Sequence, residues 1–290
     1  MTPGKNLTYF IFGLLLLAQM AHAQKFAAKM PRKAKIELGA FLGLSNYEGT
    51  LEENVMNFHY SLPGYGILAR YNFTNRFSLR FGMDYGTIED ADSASNSSWR
   101  QHRNLSFKTS ILDGYLAGEY YFATWSNHQK VFSQLYILGG LGNFHFNPQA
   151  QYKGTWYNLQ TLHTEGQGTQ EYPDRVPYQL NQVYIPMGLG VRWTLSRTWF
   201  LNLEFRANKT FTDYLDDVSL TYASPDELLQ YGGPLAVALA NRTAEKYPQY
   251  ANTNVTGTQR GGAKPANDWF FFTGFTLCHS LKSKHRCNAF

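Results

Sequence analysis

Alternation of period two, with charge on one face and apolar side chains on the other, limits most strongly how this chain can fold. From Trp199 to Ala207, the apolar Trp199, Leu201, Leu203, Phe205 and Ala207 interleave with Phe200, Asn202, Glu204 and Arg206. Successive side chains of an extended strand point to opposite faces, so such a segment has one apolar and one polar side. Phe77–Tyr85 repeats the pattern, with Ser78, Arg80, Gly82 and Asp84 on the second face. Tyr65–Phe73 and Val183–Trp193 follow, carrying Arg70 and Arg192, and Ile36–Leu44 alternates around Glu37. Leu112–Phe122 holds Asp113 and Glu119 in one phase, Leu135–Phe144 is too rich in glycine to fix a phase, and Trp269–Leu277 is apolar on both faces. Eight strands are predicted.

The connections alternate in length. Residues 74–76, 123–130 and 195–197 are short turns, whereas 46–61, 89–104, 146–180 and 212–267 are long loops holding 123 residues between them. Short turns at one end and long loops at the other are the habit of outer-membrane barrels. The reading is therefore all-β: an eight-stranded antiparallel transmembrane β-barrel over residues 35–281, with long extracellular loops. The last loop is expected to be partly helical. There Ser224, Pro225 and Glu227 have capping-box spacing, and a second start follows at Gly233-Pro234.

A strand in lipid has to bond its backbone to neighbours and show hydrocarbon outward, so the charges must point in. The inward set is Glu37, Arg70, Arg80, Asp84, Asp113, Glu119, Arg192, Glu204 and Arg206, five acids and four arginines. Eight strands enclose a space that side chains fill, so these residues are expected to pair as a plug of charge. A soluble, lipocalin-like cup would place its charges outside. Composition agrees with lipid: charged residues are 16% of the chain, against roughly 25% in ordinary soluble domains, and aromatic residues are also 16%. Girdles are expected at Tyr71, Phe73, Phe77, Phe122, Trp125, Phe132, Trp193 and Trp199 on the turn side, and at Tyr47, Tyr85, Phe144, Phe146 and Trp269 on the other. Glycines such as Gly82 and Gly190 are expected to relieve crowding inside.

Lys5, the apolar stretch Leu7–Ala18 and Ala21-His22-Ala23 before Gln24 read as a secretory signal, with cleavage expected between Ala23 and Gln24. Beyond it no apolar run is long enough for a membrane helix. An exported compartment permits a bridge between Cys278 and Cys287, which lack the spacing of a zinc site.

Sites for chemistry are sparse. His145 at the end of the fifth strand could face a loop Ser or Asp as a catalytic pair, or simply join an interfacial polar ring. No phosphate-binding or dinucleotide glycine motif appears. Asp213, Asp216 and Asp217 are calcium candidates, or partners of Lys209 or Arg206. No catalytic residue, cofactor or small-molecule substrate is expected, and nucleic acid does not fit an exported chain despite a pI near 9.0.

Both tails are basic: Lys25, Lys29, Arg32, Lys33 and Lys35 before the first strand, and Lys282, Lys284 and Arg286 after the last. Such a periplasmic collar would attract an acidic protein surface or anionic lipid headgroups, or simply fix the barrel at the interface.

Several stretches resemble a known family: Glu37-Leu-Gly-Ala-Phe-Leu-Gly with Ser45-Asn46-Tyr47, Arg70-Tyr-Asn-Phe, Arg103-Asn-Leu-Ser-Phe-Lys, Trp156-Tyr-Asn-Leu with Thr164-Glu-Gly-Gln-Gly, Lys209-Thr-Phe-Thr-Asp-Tyr-Leu-Asp-Asp-Val-Ser, and Asp268-Trp. Together they resemble the PorG-like (DUF6089) outer-membrane barrel family of the type IX secretion apparatus. The resemblance runs from about residue 35 to 281. It implies a non-enzymatic component that links the outer membrane to periplasmic ring subunits; the even strand count separately leads to the expectation that both termini are periplasmic. This tail ends Cys287-Asn-Ala-Phe, where Cys-Pro-x-Phe is expected. From the residues alone, a small channel or a surface enzyme or adhesin built on the loops is the alternative.

Overall fold

The computed structural model describes residues 36–51, 60–126, 132–261 and 267–281. Its strands are β1 (Ile36–Glu48), β2 (Leu62–Asn72), β3 (Phe77–Ala91), β4 (Ser106–Ser126), β5 (Phe132–Tyr152), β6 (Thr155–Asn158), β7 (Asn181–Thr194), β8 (Trp199–Thr210) and β9 (Trp269–Ser280). Each long strand pairs antiparallel with two neighbours in the order β4-β3-β2-β1-β9-β8-β7-β5, and a β4–β5 ladder closes the ring. The barrel therefore has eight staves; β6 is a short extra strand folded back on the top of β5. Its two ends meet at the short-turn face, where the Leu281 amide donates to the Ile36 carbonyl at 2.9 Å.

Register fixes the slope of the staves. The ladder from Asp113 passes through Asp84, Gly66, Phe41, Thr276, Asn202, Arg192 and Gln134 and returns to β4 at Thr124. That is eleven residues on, one of them the bulge between Tyr121 and Ala123, which leaves a shear of ten. With about 3.3 Å per residue and about 4.8 Å between strands, the tilt is about 41°, inside the range of membrane barrels.

Between the turns and the middle of the staves, the outside is apolar and the inside charged. Leu38, Leu42, Ile67, Leu79, Phe81, Leu116, Ile137, Leu141 and Leu189 are exposed, while all four arginines and five acids of the inward set are buried. Tyr71, Phe73, Phe77, Trp125 and Trp199 ring the turn end. Inside, a Cβ on Gly82 would lie 2.4 Å from the Tyr115 ring and one on Gly190 2.4 Å from Tyr136, so both glycines make room for buried tyrosines.

Higher up, the pattern inverts. Lys108, Ser110, Gln149 and Gln151 face outward, whereas Phe107, Ile111, Phe146 and Ala150 are buried inside. Three residues expected in the upper girdle are corrected by this inversion. Tyr47, Phe144 and Phe146 point into an apolar core shared with Phe107, Ile111, Leu215, Val218 and Phe270. Where the surroundings become water, the outer face turns polar and the rings pack inward. β4 and β5, expected over 112–122 and 135–144, accordingly run 21 residues each. Their upper ends carry no outward apolar signal.

The loops build on this raised wall. After β3 comes α1 (Ser98–Arg103), which the sequence pattern does not announce, ended by Asn104 at φ 59°. The last loop holds α2 (Pro225–Ala240), broken at Gly233 (φ 73°) before Pro234, and α3 (Thr243–Lys246). Ser224 does stand before α2, but its side chain makes no cap. Glu227 instead accepts the Glu171 amide at 3.1 Å, so the expected capping box does not form.

Candidate functional site: the ion-paired lumen and its cap

The inward phase of six staves, β1 to β4 with β7 and β8, brings the nine lumen charges together. Glu37 accepts from Arg70 at 3.0 Å and Arg192 at 2.8 Å. Glu119 takes Arg70 at 2.7 Å and Arg80 at 2.5 Å. Arg80 then reaches Glu204 with both terminal nitrogens, at 2.9 and 2.7 Å. The result is an unbroken chain Arg192–Glu37–Arg70–Glu119–Arg80–Glu204 in which arginines and glutamates alternate. Above it, Arg206 bonds Asp84 and stands 3.9 Å from Asp113.

Tyrosines complete the lower chain. Tyr121 donates to Glu119 and Tyr136 to Glu204, each at 2.7 Å, and Asn72 donates to Glu37 at 2.8 Å. The inward list above omits these side chains, although Tyr115 and Tyr121 share the phase of Glu119. A guanidinium beside an aromatic face is stabilised by the ring quadrupole: the Arg192 guanidinium carbon lies 3.9 Å from the Phe200 centroid, and that of Arg206 4.3 Å from Tyr115. Charged hydrogen bonds at these lengths, sealed from water, fill the lumen with rigid side chains.

Most of the stretches that carry the family resemblance meet in the cap, whereas Glu37 and Arg70 belong to the lower chain. Tyr47 donates to Asp216 at 2.6 Å and lies 3.5 Å from Asp268, whose other oxygen accepts the Leu215 amide at 2.8 Å. Asp217 accepts the hydroxyls of Thr164 and, at 2.7 Å, Tyr178. Glu165 accepts the amides of Ser219 and Leu220, and the fully buried Arg260 ties Glu165, the Asp217 carbonyl and the Ala240 carbonyl together. Beside it, Asp92 takes both prongs of Arg103, at 2.8 and 2.6 Å, and Arg103 reaches the Arg260 carbonyl. Sequence reading misses the Arg260–Glu165 hub because 95 residues separate its members and neither belongs to a periodic segment.

Asp213, Asp216 and Asp217 do not converge. Asp213 accepts from Ser219, Asp216 from Tyr47, and Asp217 faces Thr164 and Tyr178. Among the described residues no group of three or more His, Cys, Asp or Glu side chains is placed to hold a metal. Burial instead pushes the Asp216 carboxyl up to about 8, with Asp213 adding to the rise. Asp268 goes well above the usual range through burial and the charges of Asp216 and Asp213. Burial also raises Asp217, to about 6, because Arg260 and the two hydroxyls offset part of the cost.

His145 is exposed and bonds Asn181 at 3.1 Å. Cys278 is buried beside Arg70 and Asn202, without a disulfide partner among the described residues. Ala23, Gln24, Lys29, Arg32, Lys33, Lys35, Lys282, Lys284, Arg286 and Cys287 lie outside the described residues.

A family model described as "Domain of unknown function (DUF6089)" matches residues 17–233. No curated protein sequence matches the chain. Among solved structures, the attachment invasion locus protein Ail of Yersinia pestis aligns at 7% identity over 86% of this chain and 99% of its own, with a TM-score of 0.36. The outer membrane protein OprG of Pseudomonas aeruginosa aligns at 10% identity over 86% and 98%, with a TM-score of 0.38. Outer Membrane Protein W of E. coli aligns at 11% over 87% and 100%, with a TM-score of 0.37. The barrel assignment rests on the closing β4–β5 ladder.

Proposed function

The chain belongs to the DUF6089 family, and from that premise we propose that it is a non-enzymatic outer-membrane barrel of the type IX protein secretion machinery, anchoring or assembling the periplasmic ring. The observation that carries a scaffold over a channel is the filled lumen: six side chains alternate in sign without a break and span the barrel. A barrel so filled works through its two faces. One is the tightly bonded cap, the other the short-turn end where both termini leave. The apolar belt and aromatic rings support residence in the outer membrane, with the short-turn end in the periplasm. The secretion role itself rests on the stretches that resemble the PorG-like barrels.

The basic tails are the surface offered to ring subunits. Charge reversal of Lys282, Lys284 and Arg286, combined with Lys29, Arg32, Lys33 and Lys35, should remove ring proteins from material co-purified out of native envelopes while the barrel still reaches the membrane. Undiminished co-purification would refute the assignment. For the channel alternative, single-channel recording decides: the filled lumen should pass no current.

A further inference from the structure

Charge is unevenly distributed along the lumen. The lower chain is balanced, three arginines against Glu37, Glu119 and Glu204. The upper group sets the two carboxylates of Asp84 and Asp113 against Arg206 alone. Asp84 takes the bond from Arg206; Asp113 Oδ1 accepts the Asp84 amide at 3.1 Å, and Asp113 Oδ2 has no hydrogen-bond partner. A buried carboxylate whose one counter-charge is distant and shared is strongly disfavoured.

Further unpartnered polar atoms stand at the same height. The ladder runs from Asp113 to Phe144 and from there to Gln182, and Tyr184 pairs with Thr210. The shear of ten over eight strands lifts this path by about 1.25 residues per strand. Correcting for that slope brings Asp113, Tyr184 and Asn208 level, on β4, β7 and β8. Tyr184 OH faces the Asp113 carboxylate without closing a well-formed hydrogen bond to it, and both amide atoms of Asn208 are buried without partners, as is Arg206 Nε. Both residues are fully inaccessible to solvent, and Phe144 and Phe270 pack around the Tyr184 ring at 5.7 and 5.3 Å.

We propose that the upper lumen binds one monovalent cation, held by Asp113 Oδ2 together with Asn208 Oδ1 and Tyr184 OH. Three uncharged or singly charged oxygens are hard donors, suited to an alkali ion. One positive charge balances the two carboxylates that share Arg206, whereas a divalent ion would leave an excess beside the guanidinium. Bound there, the ion joins β4 to β7 and β8 across the barrel, directly beneath the cap.

The test uses the full mature chain, folded in detergent micelles. Crystals grown in rubidium chloride should show anomalous density between Asp113 and Asn208. The melting temperature should be higher in rubidium or potassium chloride than in N-methyl-D-glucamine chloride of equal strength, by about 4 °C. Asp113→Asn should abolish that difference. Should Asp113→Asn not fold, Asn208→Ala takes its place in the salt series, and the wild-type crystal stands independently. Absence of anomalous density together with equal melting in both salts would overturn the proposal, leaving a proton on Asp113 or bound water to complete the site.

Discussion

Replacing Glu119 by alanine should destabilise the barrel by about 3–5 kcal/mol, the largest effect of any single change in the lumen. Among the described residues Glu119 is the only acid that joins Arg70 to Arg80, at 2.7 and 2.5 Å, and it also accepts from Tyr121. All three charged side chains are essentially without solvent. Truncation leaves two guanidiniums in a low-dielectric interior with one carboxylate each, Glu37 and Glu204, and no water to replace the lost one. A fall of roughly 10 °C in the melting temperature of the folded protein in micelles is expected. The contrast is Glu245→Ala in the partly exposed Arg242–Glu245 pair at the surface of the last loop, which should cost under about 1 kcal/mol. Equal, small shifts in both variants would mean that water reaches the lumen charges.

Raising the pH from 6 to 9 should loosen the segment from Leu215 to Val218. Tyr47 has one hydroxyl proton to share between Asp216 and Asp268, with Asp213 and Asp90 adding negative charge nearby and Arg103 the positive group. Two buried carboxylates in contact with a single donor favour holding an additional proton. Both folded-state values lie above the unfolded value, so the folded cap binds more protons than the unfolded one. Its stability is greatest at acid pH and falls between about pH 4 and 8 as that proton is lost. The slope is up to about 1.4 kcal/mol per pH unit for one proton. Hydrogen exchange at the Leu215 and Val218 amides, which donate to Asp268 and Asp216, reports it once intrinsic rates are removed. Asp216→Asn with Asp268→Asn should flatten the profile; an unchanged pH dependence in that variant would show that the proton sits elsewhere.

The membrane part of the barrel is legible in the sequence because each stave there obeys a single two-phase rule. Arg80 among Phe77, Leu79 and Phe81, or Glu204 among Leu203 and Phe205, can face only one way in lipid, and their burial agrees with that phase. Even Trp269–Leu277, apolar on both faces, is fixed once its neighbours are placed, with Thr276 and, just beyond, Cys278 inside. The cap is less legible for the converse reason. Above the lipid the same staves carry polar residues outside and rings inside, so Tyr47, Phe144 and Phe146 read as interfacial when they are core. Helix α1 has no apolar stripe: its buried side chains are Arg100 and Arg103, held by partners distant in sequence. The stretches that resemble the PorG-like barrels hold many of the cap's contact residues, but the sequence does not show how they are joined. Tyr47 to Asp216 joins a strand end to a loop, Thr164 to Asp217 and Glu165 to Arg260 join loop to loop, and all three are set by tertiary packing.

The central claim is that the belt of Leu79, Leu141 and Leu189 faces hydrocarbon while the charges behind it are enclosed. Nitroxide labels at these three positions, in protein reconstituted into bilayers, test it by collision with dissolved oxygen and with a water-soluble nickel chelate. Oxygen should relax all three labels strongly and the chelate hardly at all. Labels relaxed faster by the chelate than by oxygen would place the belt in water and contradict the account.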